Sequence, residues 1–214
     1  MTPRPSPTIY KLYPNVIILL HGFNSAPGKK EEEIKLFLEN ENLSDKYKLI
    51  APKLDFEPIK ARREINKIIR ENSCSKVYLI GTSLGGFYAN YFRAKFQEEN
   101  FLSVHAINPS WTPSKSLSQY KNQTLENFKT KEKWTFEDSY VRELEEFERF
   151  IQTNLKNKDK HKYYVHLSKA DELLKFDGFL EFLDVHEIAH FKLEYESDHR
   201  FDKIKDVMRI IVDG

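Results

Sequence analysis

The sequence predicts an α/β fold: a mostly parallel sheet of about six to seven strands, helices on both faces, and a small cap insertion. Three observations lead there. Short runs that are apolar on both sides recur along the chain. Between them lie stretches with apolar residues at three- and four-residue spacing, and one long polar segment interrupts the alternation.

In chain order, residues 1–12 carry three prolines in their first seven positions and no apolar core, which predicts a flexible leader and not a signal peptide. Residues 13–214 are then expected to form a single domain. Val16 to Leu20, Tyr47 to Ala51, Val77 to Ile80, Ser103 to Ile107, Tyr163 to Leu167 and Ala189 to Tyr195 read as buried strands. The intervening helices are marked by Ile34, Phe37 and Leu38; by Ile65, Ile68 and Ile69; and by the run from Leu84 to Phe96. Further helices follow at Tyr140 to Ile151, Leu173 to Leu183 and Phe201 to Ile211. Strand and helix in strict alternation imply right-handed crossovers, so functional groups are expected just past the carboxyl ends of the strands. The exception is 108–137, too long and polar for an ordinary connection and anchored by prolines, Trp111 and Trp134; it is expected to form a cap over those strand ends.

Composition narrows the function classes. With 34 basic and 33 acidic residues the formal charge is +1, so no global field draws the chain to nucleic acid or to anionic lipid. The longest aliphatic run, VIILL at 16–20, is far too short to span a bilayer. A single cysteine, Cys74, excludes an internal disulfide and reads as a small apolar filler before a strand. A reduced, cytoplasmic protein is expected. The sequence leaves its oligomeric state open.

The stretch LIGTSLGGFY, residues 79–88, holds three of the seven glycines. A strand runs into GTSLGG and directly into a helix, which puts Ser83 on the sharp turn between them with its hydroxyl exposed. On such a turn the side chains two before and two after the serine must be tiny, and Gly81 and Gly85 meet that demand; Gly86 lets the helix pack closely. A phosphate-binding loop would want a lysine after the last glycine, where Phe87 stands.

A serine nucleophile needs a base and an orienting acid. His21 belongs to another motif, His105 and His166 lie within strands, His161 falls in a charged turn, and His186 and His190 flank the wrong end of the last strand. His199, in YESDHRF, alone follows a strand's carboxyl end and is the expected base. Asp171, in SKADELL beyond the penultimate strand, is the expected acid, with Glu172 the fallback. Asp177 and Asp184 sit among helical residues, and Asp198 adjoins the histidine too closely to face it. The order Ser, Asp, His is the one an α/β-hydrolase uses.

An oxyanion hole completes the set. Its donors are expected to be the backbone N–H of Leu84, after the nucleophile, and of Phe23, in the HGFNSAPG loop after the first strand, where Gly22 permits close approach and His21 braces the loop. Phe23, Trp111 and Trp134, together with Phe87, are candidates for lining a substrate pocket. No His/Cys/Asp cluster has metal-ligand spacing, and no cofactor is expected.

The segments LLHGFNSAPGKK, LIGTSLGGFYA, INPSW, SKADELL and SDHRF, in order from about Val16 to the end, resemble the YqiA/YcfP family of small bacterial α/β-hydrolase esterases. The resemblance implies a compact α/β-hydrolase with Ser83, Asp171 and His199 as triad, acting on carboxylic esters and on acyl thioesters such as acyl-CoA. The FDGFLEFLDVHEIAHF stretch and Arg200 depart from the family pattern. An acyltransferase or peptidase with the same triad, and a non-catalytic binding module, stay open as alternatives.

Overall fold

The computed structural model describes residues 13–96, 99–156 and 163–214. The leader expected over 1–12 and the turn holding His161 lie outside the described residues. Strands β1 (Asn15–Leu20), β2 (Tyr47–Ile50), β3 (Lys76–Thr82) and β4 (Leu102–Ile107) come first in the chain. A small hairpin, β5 (Thr124–Glu126) and β6 (Lys133–Thr135), precedes β7 (Tyr163–Ser168) and β8 (Phe191–Tyr195). The main sheet has the order β2-β1-β3-β4-β7-β8 and every pairing in it is parallel.

Among the described residues seven helices fill the spaces: α1 (Lys29–Asn40), α2 (Pro58–Glu71), α3 (Leu84–Lys95), α4 (Pro113–Leu117), α5 (Asp138–Asn154), α6 (Asp177–Val185) and α7 (Ile204–Asp213). The pleat divides their duties, because alternate side chains of a strand face opposite layers. Ile17 and Leu19 of β1 pack with Ile34 and Phe37 of α1 and Val207 and Met208 of α7. Val16, Ile18 and Leu20 turn the other way, into the layer holding Ile65 of α2, Phe92 of α3, Leu144 and Phe147 of α5 and Phe179 of α6. A strand buried on both faces must be apolar at every position, which is why VIILL shows no alternation. Edge strand β8 alternates between half-buried and exposed residues.

Three expectations are corrected. The helix expected from Leu173 begins only at Asp177, because the Asp171 carboxylate accepts the N–H groups of Leu173 and Leu174 and holds that stretch as a turn. Phe201 lies outside α7 with φ 54°; it is buried by packing from a loop, edge-on to Tyr195. Cys74 is exposed and fills no part of the core. Segment 108–137 contains α4, a 3-10 turn at Ser118–Tyr120 and the hairpin. Ser114 donates from its N–H and hydroxyl to the Glu148 carboxylate at 2.7 and 2.8 Å, fastening α4 to α5.

His105 and His166 are buried core histidines, joined Nδ1 to Nε2 at 3.1 Å, with His166 Nδ1 against the Tyr195 hydroxyl at 2.9 Å. Burial pushes both below the usual histidine range, His166 to about 3, and the two rings disfavour each other's charge. Burial also lowers His21. The unfolded chain takes up protons on these rings below about pH 6.5 while the folded chain does not, so their contribution is complete above that pH and declines as the pH falls toward 3. The urea midpoint is therefore expected to be lower at pH 5 than at pH 7.5, by a loss on the order of 1 to 2 kcal/mol for each buried ring. Equal midpoints would show that these rings are charged in the fold.

Candidate active site

Ser83 stands between β3 and α3 with φ 56° and ψ −115°, a backbone conformation that an L residue rarely adopts. The turn is held from both sides: Ser83 N–H donates to Ile107 O at 2.9 Å, and Ser83 O accepts from Ser110 N–H at 3.1 Å and Phe87 N–H at 3.0 Å. Ser83 Oγ makes no hydrogen bond with another described residue. The surrounding glycines serve close approach and not unusual φ, since none of them has positive φ. A Cβ on Gly81 would lie 2.8 Å from Gly86 N and nearer still to Gly85 O. One on Gly85 would lie 2.7 Å from His21 O and nearer still to Leu20 O, and one on Gly86 would meet Pro109 Cα at 2.9 Å. Strand β1, the serine turn and the β4 loop are thus stacked backbone on backbone. Gly22 is looser, its added Cβ 3.3 Å from Ser83 Cβ.

His199 and Asp171 meet across the ends of β7 and β8. His199 Nδ1–H donates to Asp171 Oδ2 at 2.7 Å, the carboxylate side chain being 2% exposed and the imidazole 15%. Asp171 Oδ1 is taken by Leu173 and Leu174 N–H, so both carboxylate oxygens are engaged and the side chain cannot turn away. Because a carboxylate only accepts, the proton sits on Nδ1 and leaves Nε2 as a lone-pair donor. Glu172, the fallback acid, instead accepts the His199 backbone N–H at 3.1 Å, and that bond with its own N–H holds its carboxyl below the usual range. Asp198 caps Arg200 N–H and does not face the imidazole.

Asn108, the first residue after β4, gathers these loops. Its Nδ2 donates to Ser168 Oγ at 2.8 Å and reaches His199 O at 3.3 Å, while its Oδ1 accepts Ser168 N–H at 2.8 Å. Sequence reading passed over it; its place at a strand's carboxyl end in INPSW was the available signal.

The loop after β1 is braced by His21, whose Nε2 accepts Leu54 N–H at 3.0 Å and whose Nδ1 therefore donates to Gly22 O at 2.9 Å. Both ring nitrogens are occupied, as bracing requires. Neither Phe23 N–H nor Leu84 N–H is bonded to another described residue. Asn24 then stitches the loop to the hairpin: its Nδ2 donates to Glu126 O, its Oδ1 accepts Trp134 Nε1–H, and its carbonyl accepts Phe128 N–H, at 2.9, 2.9 and 3.0 Å.

Beside Phe23 and Leu84 opens a cleft of about 450 Å³ including its mouth, with Phe56, Tyr88, Leu117 and Trp134 among its walls. Of the aromatic candidates, Phe23 and Trp134 line it. Trp111 instead packs on Phe179 and Phe182 at 5.3 and 4.8 Å, and Phe87 is buried in the core. Among the described residues no group of three or more His, Cys, Asp or Glu could hold a metal ion, and no helix is long and apolar enough to cross a membrane.

Comparison with solved structures assigns the fold. Est1E from Butyrivibrio proteoclasticus superposes with a TM-score of 0.62 at 14% identity, covering 96% of this chain and 91% of that one. A monoacylglycerol lipase of Paleococcus ferrophilus gives 0.64 at 14%, covering 92% of each, and mouse alpha/beta hydrolase domain-containing protein 10 gives 0.64 at 15%, covering 92% and 88%. At such identities the likeness concerns architecture, and the architecture is the α/β-hydrolase fold. A UPF0227 protein of Pectobacterium atrosepticum is 28% identical over 105 residues, 48% of this chain and 55% of the relative, so the chain spans about half the length of that relative. The family model described as Uncharacterised protein family (UPF0227) matches residues 16–213, and the chain belongs to that family.

Proposed function

We propose that the protein is a serine hydrolase cleaving carboxylic esters or acyl thioesters through an acyl-serine intermediate. The observation that carries this reading is the 2.7 Å bond from His199 Nδ1–H to a doubly anchored Asp171, with Nε2 left to act as base at the same carboxyl end of the parallel sheet as the Ser83 turn. His199 Nε2 takes the Ser83 proton as Oγ attacks the carbonyl carbon, and the oxygen that gains charge is met by the N–H groups of Phe23 and Leu84. Collapse expels the alcohol or thiol, which leaves with the proton from His199. Water, deprotonated by His199, then attacks the acyl-serine, and as the acyl–Oγ bond breaks His199 returns that proton to Ser83 Oγ and the acid is released. Segment 108–137, with Trp134 and Leu117 at the cleft, acts as the cap that shelters these steps. The names of two structural neighbours, a monoacylglycerol lipase and a thioesterase domain from the curacin pathway, agree with acyl transfer to water.

A fluorophosphonate tests the nucleophile without knowledge of the substrate. The adduct is expected on Ser83 by peptide mass spectrometry, and Asp171→Asn is expected to slow its formation about 10³- to 10⁴-fold, because the amide would present its N–H to Nδ1 and enforce the wrong tautomer. Absence of labelling in the folded wild-type protein would refute the hydrolase reading in favour of a binding module.

A further inference from the structure

The cleft beside the oxyanion donors has an aromatic rim and a polar atom at its inner wall. Leu84 and Tyr88 both line it and lie four residues apart on α3, so they share one helix face about 6 Å apart along the axis. Tyr88 is 3% exposed, and its hydroxyl has no hydrogen-bond partner among the described residues. It is also not one of the fully enclosed unpaired atoms, and its residue lines the cleft. A phenol that the protein leaves without a partner is free to donate to a group bound in the cleft.

The walls limit what that can be. Trp134 and Phe56 stack on each other at 4.3 Å with an interplanar angle of 3°, and Phe23 packs on Tyr120 and edge-on to Trp134 and Phe136, so the cleft is walled by aromatic rings that also pack on one another. Burial, with the charges of Glu143 and Asp55, pushes the Tyr88 phenol up and keeps it a neutral donor, and the same carboxylates oppose an anionic chain end.

We propose that this cleft receives the acyl part of the substrate as a short, uncharged, unbranched chain bearing a hydrogen-bond acceptor about four bonds from the reacting carbonyl, and that the Tyr88 hydroxyl selects it by donating to that acceptor. Four bonds of extended chain span about 5 Å, the reach the proposal assigns between the reacting carbonyl and the Tyr88 hydroxyl. The proposal rests on the hydrolase reading of the same site. Tyr88 takes no part in the bond-making steps and acts as a specificity residue.

The test compares p-nitrophenyl 4-methoxybutanoate with p-nitrophenyl hexanoate, which differ by an ether oxygen in place of a methylene, and uses p-nitrophenyl acetate as a substrate too short to reach Tyr88. The wild-type protein is expected to favour the ether by kcat/KM, and Tyr88→Phe to lower the ether-to-hexanoate ratio about tenfold, because the ether would then be buried unpaired. Moving the oxygen outward, in 6-methoxyhexanoate against octanoate, is expected to abolish the preference in the wild-type protein, a readout that needs no variant. Ser83-dependent acetate hydrolysis with a wild-type preference for hexanoate, or with a ratio that Tyr88→Phe leaves within twofold, would overturn the acyl selection alone. Failure to hydrolyse any of these esters would overturn it together with the hydrolase reading.

Discussion

Ser83→Ala is expected to lower kcat for a short p-nitrophenyl ester by about 10⁴- to 10⁶-fold while leaving the fold intact. Two features separate the chemistry from the folding. Ser83 Oγ bonds to no other described residue, so its loss leaves no donor or acceptor stranded. The strain at φ 56° belongs to any residue with a Cβ, and alanine keeps that Cβ, so the turn is no worse off than before. Circular dichroism and a thermal melt run beside the kinetics read this directly. A melting temperature within about 2 °C of wild type with turnover gone is the expected pair, and full turnover with an unchanged melt would remove Ser83 from the reaction. Ser83→Gly sharpens the point: it is expected to be equally inactive yet about 1 kcal/mol more stable, because glycine accepts positive φ without penalty.

A large loss of stability is expected from Gly85→Ala. The added methyl would press on the Leu20 and His21 carbonyls, both of them backbone atoms at the carboxyl end of strand β1, and no rotamer change can clear it. A cost above about 4 kcal/mol follows, enough to leave little folded protein at 37 °C. Gly178→Ala is the control: the nearest atom to its added Cβ is Trp111 Cδ1 at 3.8 Å, and alanine in place of glycine in the first turn of α6 is expected to be neutral or to stabilise by up to about 1 kcal/mol. Chemical denaturation of the two variants measures the contrast. Comparable midpoints would mean that β1 and the serine turn are not in backbone contact.

Much of this arrangement is legible in the sequence because it rests on periodicity and on steric necessity. Each of the six strands expected in the main sheet is present: the four inner strands are buried on both faces and read as largely apolar runs, while edge strands β2 and β8 show themselves by their place in the strand–helix alternation. GTSLGG announces its turn because the glycines are forced by atoms that are always there, the backbone of the adjoining strand and helix. What escapes is settled by single polar side chains acting across the chain. The Asp171 carboxylate removes Leu173 and Leu174 from the helix that their spacing predicts, and no periodicity encodes that competition. Trp111 and Trp134 look alike in sequence as anchors of the 108–137 segment, but Asn24 draws only Trp134 to the cleft. Tyr88 reads as one more apolar position of α3, and only its missing partner sets it apart.

Asn108 has a consequence for how fast the site can act. With φ 41° and full burial it occupies a position that few residues tolerate, and one amide touches both Ser168, at the root of the Asp171 loop, and the backbone of His199. Two residues on, Ser110 holds the serine turn itself. Loops from three separate strands are therefore registered to one another before any ligand arrives, and the entropy of aligning them is spent during folding. If the protein is the hydrolase proposed above, binding would have only the substrate left to orient, and Ser83, Asp171 and His199 would need no assembly step of their own before turnover.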